Sequence, residues 1–573
     1  MRQVLFYLKK YTKESILGPL FKLLEATFEL FVPLVVANIV DVGIENGDKG
    51  YIAGMTALMV ALGVIGLICS VSAQYFAAKA SVGCVSGLRR ALFARIESLD
   101  YTTLDGLGVS TMVTRMTSDM NQVETGVNLT LRLLLRSPFV VFGAMVMAFT
   151  IDAQAASVFA VTIPLLSVVV FGIMLISLPL YKRVQASLDR VLLTARENLT
   201  GVRVLRAFRR ESDEIAEFEQ RSDALTGAQR FVGRISALLN PITYVMINVA
   251  AVVLVYIGAL RVDSGMIETG AVIALYNYMS QILVELIKLA NLIINITKSV
   301  ASANRIETLI NLEPEADGAV TALDTSAENA VEFDGVSLRY KNGGADAISD
   351  ITFSAKRGET IGIIGGTGSG KTSLVNLIPA FYTATSGEVR VLGENVKDIS
   401  REALRRRVAV VPQGATLFRG TIRENLLWGN ADADDEAILE AVRTAQAEDV
   451  LNAKERGLDE MIERGGVNLS GGQRQRLTIA RALVARPDIL ILDDSSSALD
   501  FATDAALRAS LAALKPKPTV FIVSQRTSSI RHADKIIVLH EGRCVGLGTH
   551  DALLRDCDIY REIHDSQNKE AHA

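Results

Sequence analysis

The feature that most constrains this chain is a set of six apolar stretches in its first 300 or so residues, each long enough to cross a bilayer. They lie near residues 16–40, 52–78, 128–150, 155–180, 238–260 and 269–296. A spanning helix needs about 20 mostly apolar residues, and in lipid it must satisfy its own backbone hydrogen bonds. Beyond these stretches the sequence reads as ordinary soluble α/β protein. At 573 residues, half of them hydrophobic, the chain is also too long for one core. The expectation is a multidomain protein. An all-α membrane domain of six transmembrane helices occupies 1–312, a linker 313–330, and a soluble α/β domain 331–573.

Basic residues set the orientation. Lys79, Arg89, Arg90, Arg95 and Arg115 lie between the second and third spans. Lys182, Arg183, Arg190, Arg196, Arg203, Arg206, Arg209 and Arg210 lie between the fourth and fifth. The opposite loops are short and acidic, with Asp41, Glu45 and Asp48 in one and Asp152 in the other. The positive-inside rule then puts both termini, both long connections and the soluble domain in the cytosol of a multi-pass membrane protein, with a bacterial inner membrane as the expected setting. Arg2, Lys9, Lys10 and Lys13 precede an apolar stretch with no short cleavage site, so no cleavable signal is expected. A net charge of −4 and a pI near 5.9 argue against a nucleic-acid partner. Four cysteines, Cys69, Cys84, Cys544 and Cys557, have neither metal-ligand nor paired spacing, which points to reduced thiols.

The two long connections are patterned as helices, so they read as extensions of the spans into the cytosol. Their tips, around Leu104–Thr117 and Leu199–Glu211, are free to touch another domain. Charges inside spans are costly and face a cavity or a partner. Lys22, Glu25 and Glu29 share one helix face of the first span, and Glu285 and Lys288 form an i, i+3 pair in the sixth. Two readings stand: a polar strip along a substrate path, or intrahelical pairing that packs spans together. Glu25 and Glu29 favour amphipathic cations as the substrate.

In the soluble domain Gly365, Gly366, Thr367, Gly368, Ser369, Gly370, Lys371 and Thr372 match G-x-x-x-x-G-K-[ST]. An apolar strand-like run, Thr360–Ile364, precedes them and a helical run from Ser373 follows. Glycines let backbone N–H groups close around phosphates. Lys371 reaches the β/γ-phosphates and Thr372 ligates Mg²⁺. Leu490–Leu492 ends in Asp493, a second Mg²⁺ ligand, and the two motifs define a P-loop NTPase. Between them Leu469, Ser470, Gly471, Gly472 and Gln473 open a helix, forming another anion site. Since the phosphate loop already holds one nucleotide, this second site is read as capping a nucleotide held by another subunit.

With these residues assembled, the chain resembles the half-transporters of the ABC exporter family, whose signature is LSGGQ, and the resemblance covers essentially the whole sequence. It implies ATP and Mg²⁺ as cofactors, the lipid bilayer as setting, a small-molecule substrate and a second half-transporter as partner. Tyr340 falls where an aromatic stacks on adenine, and Gln413 matches the loop glutamine that senses Mg²⁺ and the membrane domain. Ser497-Ala498-Leu499-Asp500 matches the loop at the dimer seam. The connection tips match coupling helices, the second usually docking on the partner's ATP-binding domain.

Two positions depart from the family pattern, and both concern hydrolysis. The residue after Asp493, usually the glutamate that polarises water, is Asp494, one methylene shorter. The switch histidine is replaced by Gln525, which donates a hydrogen bond but carries no proton to the γ-phosphate. The resemblance therefore narrows to the degenerate-site subunit of heterodimeric multidrug exporters. Its Walker motifs hold ATP as a slow site, and its Ser470 and Gly472 complete the partner's working site. An ordinary homodimer, an ATP-gated channel and an importer on the same scaffold are the alternatives.

Overall fold

The structure, a computed structural model, describes residues 1–324, 326–341 and 343–569. It divides into two compact units. One is Met1–Glu97 with Ser110–Leu312, and the other is Ser98–Val109 with the chain from Glu313 onward.

The first unit holds six helical segments long and apolar enough to cross a membrane: Arg2–Ile44, Lys49–Glu97, Val109–Ile151, Ala153–Thr200, Glu211–Asp263 and Thr269–Ile310. They are called spans 1 to 6 below. Each outruns the apolar stretch that predicts it. Span 2 is one helix of 49 residues, roughly 70 Å at 1.5 Å per residue, against about 30 Å of hydrocarbon. The basic connections are therefore helix rather than loop.

Small residues let these helices approach, as packing in lipid requires when no hydrophobic gain separates helix from solvent. Ala26, Ala73, Ala77, Ala80, Ala144 and Ala148 are buried. A Cβ on Gly270 would lie 2.4 Å from the Ala37 carbonyl oxygen, so only glycine fits there. Polar clasps fix the acidic-loop side. Asp152 accepts from the Ala155 N–H at 2.7 Å, capping span 4, and pairs with Arg261 of span 5 at 2.5 Å. Asp41 accepts from the Gly270 N–H at the start of span 6. On the basic side Asp119 pairs with Arg115 at 2.7 Å and also with Arg305.

The second unit is built on a six-stranded sheet. From edge to edge its strands are Arg543–Gly548, Lys535–His540, Thr360–Gly365, Thr519–Val523, Ile489–Asp493 and Val408–Val411. Only the first pair is antiparallel. The two strands Thr519–Val523 and Ile489–Asp493 are buried along their whole length, as parallel strands covered on both faces must be. A smaller antiparallel sheet orders Ile348–Lys356, Asn329–Leu338, Ser386–Val391 and Glu394–Asn395.

The tip between spans 2 and 3 folds with this unit. Asp100 caps the helix Tyr101–Leu107 by accepting from the Thr103 N–H at 3.2 Å, and Gly108, at φ 72°, ends it. The Tyr101 ring stacks on Phe381 with centroids 4.7 Å apart, and the Tyr382 hydroxyl donates to Asp105 at 2.6 Å. The tip helix overlaps the beginning of the expected tip segment, around Leu104–Thr117, and the aspartate cap sets its first residue. The stretch over 313–330 is ordered in part against this unit: Glu315 N–H donates to the Ser98 carbonyl at 2.6 Å, and Val320 bridges to Ile399.

Candidate functional site

Four loops leave the carboxyl ends of neighbouring parallel strands and carry most of the residues singled out by sequence. The phosphate loop follows Thr360–Gly365, Gln413 follows Val408–Val411, Asp494 follows Ile489–Asp493 and Gln525 follows Thr519–Val523. Ligands of open α/β sheets bind at this edge.

The phosphate loop is glycine where glycine is required. A Cβ on Gly365 would meet the Leu539 carbonyl oxygen at 2.2 Å, and one on Gly370, at φ 95°, the Ala347 carbonyl oxygen at 2.6 Å. The other loop residues, Gly366, Thr367 and Gly368, leave their outer face open: nothing lies within 4 Å of a Cβ on Gly366 or Gly368. Lys371 folds back across the loop, Nζ donating to the Gly365 and Gly366 carbonyls at 2.9 and 2.7 Å. Burial holds its ammonium below the usual lysine pKa, against the pull of Asp494 and Asp493. Ser369 is buried and its Oγ has no hydrogen-bond partner.

Two carboxylates close the site. Asp493 Oδ1 accepts from the Thr372 hydroxyl at 3.1 Å. Burial, reinforced by the charge of Asp494, holds its carboxyl above the usual range. Asp494 sits in the left-handed region at φ 47° and accepts from Gln413 Nε2 at 3.1 Å. Burial raises its pKa too, opposed by Lys371, Gln413 and Arg526. Gln525 is exposed, and its carbonyl accepts from Gln567 Nε2 at 2.7 Å. Arg526 was not picked out from the sequence. Its guanidinium lies 5.0 Å from the Phe501 ring centroid and bears on Asp494; nothing in its local pattern announces that role.

Tyr340 stands beside this site: its hydroxyl is 2.9 Å from Ser373 Oγ, and its ring meets Tyr382 edge-on at 5.0 Å. The signature segment opens the helix Gly471–Val484 with a full capping box. Ser470 Oγ accepts from the Gln473 N–H at 3.3 Å, and Gln473 Oε1 accepts from the Ser470 N–H at 2.9 Å. Leu469 is buried beneath it. A Cβ on Gly472 would lie 3.1 Å from the Ala498 carbonyl oxygen. Among the described residues, no hydrogen bond or ion pair joins this segment to the phosphate loop.

The residues present fit a magnesium nucleotide. The open glycine loop, the unpartnered Ser369 hydroxyl and the Lys371 ammonium suit phosphate oxygens. Thr372 and Asp493 offer the hard oxygen donors Mg²⁺ takes. No group of three or more His, Cys, Asp or Glu that could hold a metal ion occurs among the described residues, and Mg²⁺ held by these two donors would complete its shell with phosphates and water. When bound, Mg²⁺ supplies charge neutralisation at those phosphates.

Comparisons with known proteins bear on the family and the fold. The family pattern described as ABC transporter transmembrane region matches residues 15–286, and that described as ABC transporter matches residues 348–497. An uncharacterized ABC transporter ATP-binding protein of Mycobacterium tuberculosis is 35% identical over 99% of this chain and 98% of its own. An ATP-dependent lipid A-core flippase of Chromobacterium violaceum is 29% identical over 100% of this chain and 98% of its own. A bacterial Atm1-family ABC exporter solved with ATP bound shares the fold, with a TM-score of 0.79 at 21% identity over 98% of both chains. With a six-span membrane region and an ATP-binding domain in one polypeptide, the chain belongs to the ABC transporter family and is a half-transporter of it.

Proposed function

We propose that this chain is one subunit of an ATP-driven exporter of amphipathic, drug- or lipid-like molecules, working beside a different half-transporter. The observation that carries the reading is a mismatch within one domain. The signature helix is fully capped at Ser470, while the hydrolytic end of the Walker site has a shortened carboxylate at Asp494 and no ionisable side chain at Gln525. Asp494 is held by Gln413 rather than projected freely, and near-attack geometry tolerates little withdrawal of a base. The Walker site of this chain then holds ATP as a slow clamp, and Ser470 with Gly472 completes the partner's working site.

Other features support the arrangement. The tip helix Val202–Phe208 exposes Val202, Val204 and Phe208, an apolar set suited to the partner's ATP-binding domain. The flippase relative supports a lipid-like substrate, and the exporter fold supports outward transport. The basic connections support a cytosolic ATP-binding domain. Chemically, ATP binding draws the two soluble domains together, the tips pass that movement on, and the spans alternate between inward and outward access.

The test compares Asp494→Asn with Ser470→Arg in the reconstituted pair. Ser470→Arg is expected to abolish phosphate release and Asp494→Asn to change it less than about threefold, against the 10²–10⁴-fold loss that follows removal of a working base. The opposite ranking would overturn the degenerate-site reading.

A further inference from the structure

A cavity of about 410 Å³ opens among spans 1, 3 and 6 of the membrane unit. Glu29, Asn277, Ser280, Gln281, Glu285 and Lys288 form its polar wall, with Val32 and Val140 on the apolar side. Read from sequence, the acidic residues of span 1 favour a cationic substrate. The ion pairs remove that basis. Lys22 neutralises Glu25 at 2.6 Å. Arg136 of span 3 reaches both Glu29 and Glu285 at 2.6 Å, and Lys288 reaches Glu285 at 2.9 Å. Each carboxylate already has its cation, so an entering positive charge meets as much repulsion as attraction.

Among the buried polar atoms of the residues lining this cavity, the two without a partner are both acceptors. Glu285 is 3% exposed, and its Oε1 takes both Arg136 and Lys288. Its Oε2 is buried with no donor. Gln281, one turn earlier on the same helix face, also has a buried Oε1 without a donor. A carboxylate oxygen can only accept, and leaving a buried acceptor unpaired is costly. The side chains of Glu29 and Lys288 are 42% and 47% exposed. Ionised groups at membrane depth face a cavity or a ligand, not lipid.

We propose that this wall reads hydrogen-bond donors rather than charge, and that the substrate is an amphipathic molecule of zero net charge whose polar end carries N–H or O–H groups. The proposal rests on the transport reading above and adds the chemistry of what is carried.

Three probes of one chain length separate the possibilities: octanamide, N,N-dimethyloctanamide and octyltrimethylammonium. Binding is measured by isothermal titration of the full-length transporter in lipid nanodiscs without nucleotide, with empty nanodiscs as the blank. Octanamide is expected to bind on the order of tenfold tighter than its dimethyl analogue, the difference a donor to a buried acceptor makes. The trimethylammonium is expected to bind more weakly than octanamide. Gln281→Leu should shrink the octanamide preference severalfold and leave the dimethyl analogue unchanged, while Gln281→Glu, which keeps an acceptor, restores it. Equal binding of the two amides overturns the proposal, as does tightest binding of the cation or equal weakening of both amides by Gln281→Leu. Should Gln281→Leu not fold, the wild-type ranking alone decides. Because no ATP is present, failure here leaves the transport reading standing, whereas loss of ATP-driven transport with the binding ranking intact points the other way.

Discussion

At the level of single residues, motif chemistry was legible in the sequence and cross-helix chemistry was not. Gly365–Thr372 and Leu469–Gln473 are contiguous, so each arrives with its geometry, and Asp493 needs only the strand before it. Arg136 is the contrary case. It was overlooked because its partners, Glu29 and Glu285, lie 107 and 149 positions away. Within each helix the pairs Lys22–Glu25 and Glu285–Lys288 do form, and Arg136 joins the second of them to Glu29 across helices. A buried ion pair is weak evidence of stability in itself, but removing one partner strands the other. Arg136→Met is therefore expected to cost about 3–5 kcal/mol by leaving Glu285 buried against a single lysine, and Arg136→Met with Glu285→Met to recover most of it. Thermal unfolding of the full-length protein in detergent measures both. A double variant no more stable than the single one would show that Arg136 acts through its packing instead.

Among the elements, hydropathy found the spans because lipid demands an apolar face, and it missed where they end because charged helix continues into water without changing period. The tip shows this: the cap at Asp100, not a hydrophobic signal, starts the helix Tyr101–Leu107. Within the second unit this tip connects to the phosphate loop through three contacts: Asp105 to the Tyr382 hydroxyl at 2.6 Å, Tyr382 to the Tyr340 ring at 5.0 Å, and the Tyr340 hydroxyl to Ser373 at 2.9 Å. Burial, and then the Asp105 carboxylate, push the Tyr382 hydroxyl above its usual pKa, so it stays protonated and keeps donating at neutral pH. Tyr382→Phe deletes that donor and keeps the ring. It is expected to lower transport per ATP hydrolysed severalfold while ATP affinity stays within about twofold. Tyr340→Leu removes the aromatic proposed for adenine and should weaken ATP binding about tenfold. Fluorescent-nucleotide titration set beside vesicle uptake separates the two effects. If Tyr382→Phe weakened ATP as much as Tyr340→Leu, the contact would serve the nucleotide site alone.

For the whole molecule the question is whether two copies of this chain can work together. In a homodimer every site would combine this chain's Asp494 and Gln525 with this chain's own signature, so both sites would carry the same two substitutions. The phosphate loop, Thr372, Asp493 and the capped Ser470 helix are all in place, so the proposed deficit falls on the base and the switch position alone. That makes a gain-of-function experiment informative where a loss would not be. The purified chain alone is expected to release phosphate slowly, well below the roughly 10 s⁻¹ typical of enzymes. Asp494→Glu combined with Gln525→His should raise that rate on the order of 100-fold, because a positioned base and a charged donor at the γ-phosphate each act on the transition state. Either substitution alone should give only a small part of the gain, since groups acting as one unit are far from additive. A wild-type chain that already hydrolyses ATP at an ordinary rate by itself would establish the homodimer, with the shorter Asp494 carboxylate sufficient as its base.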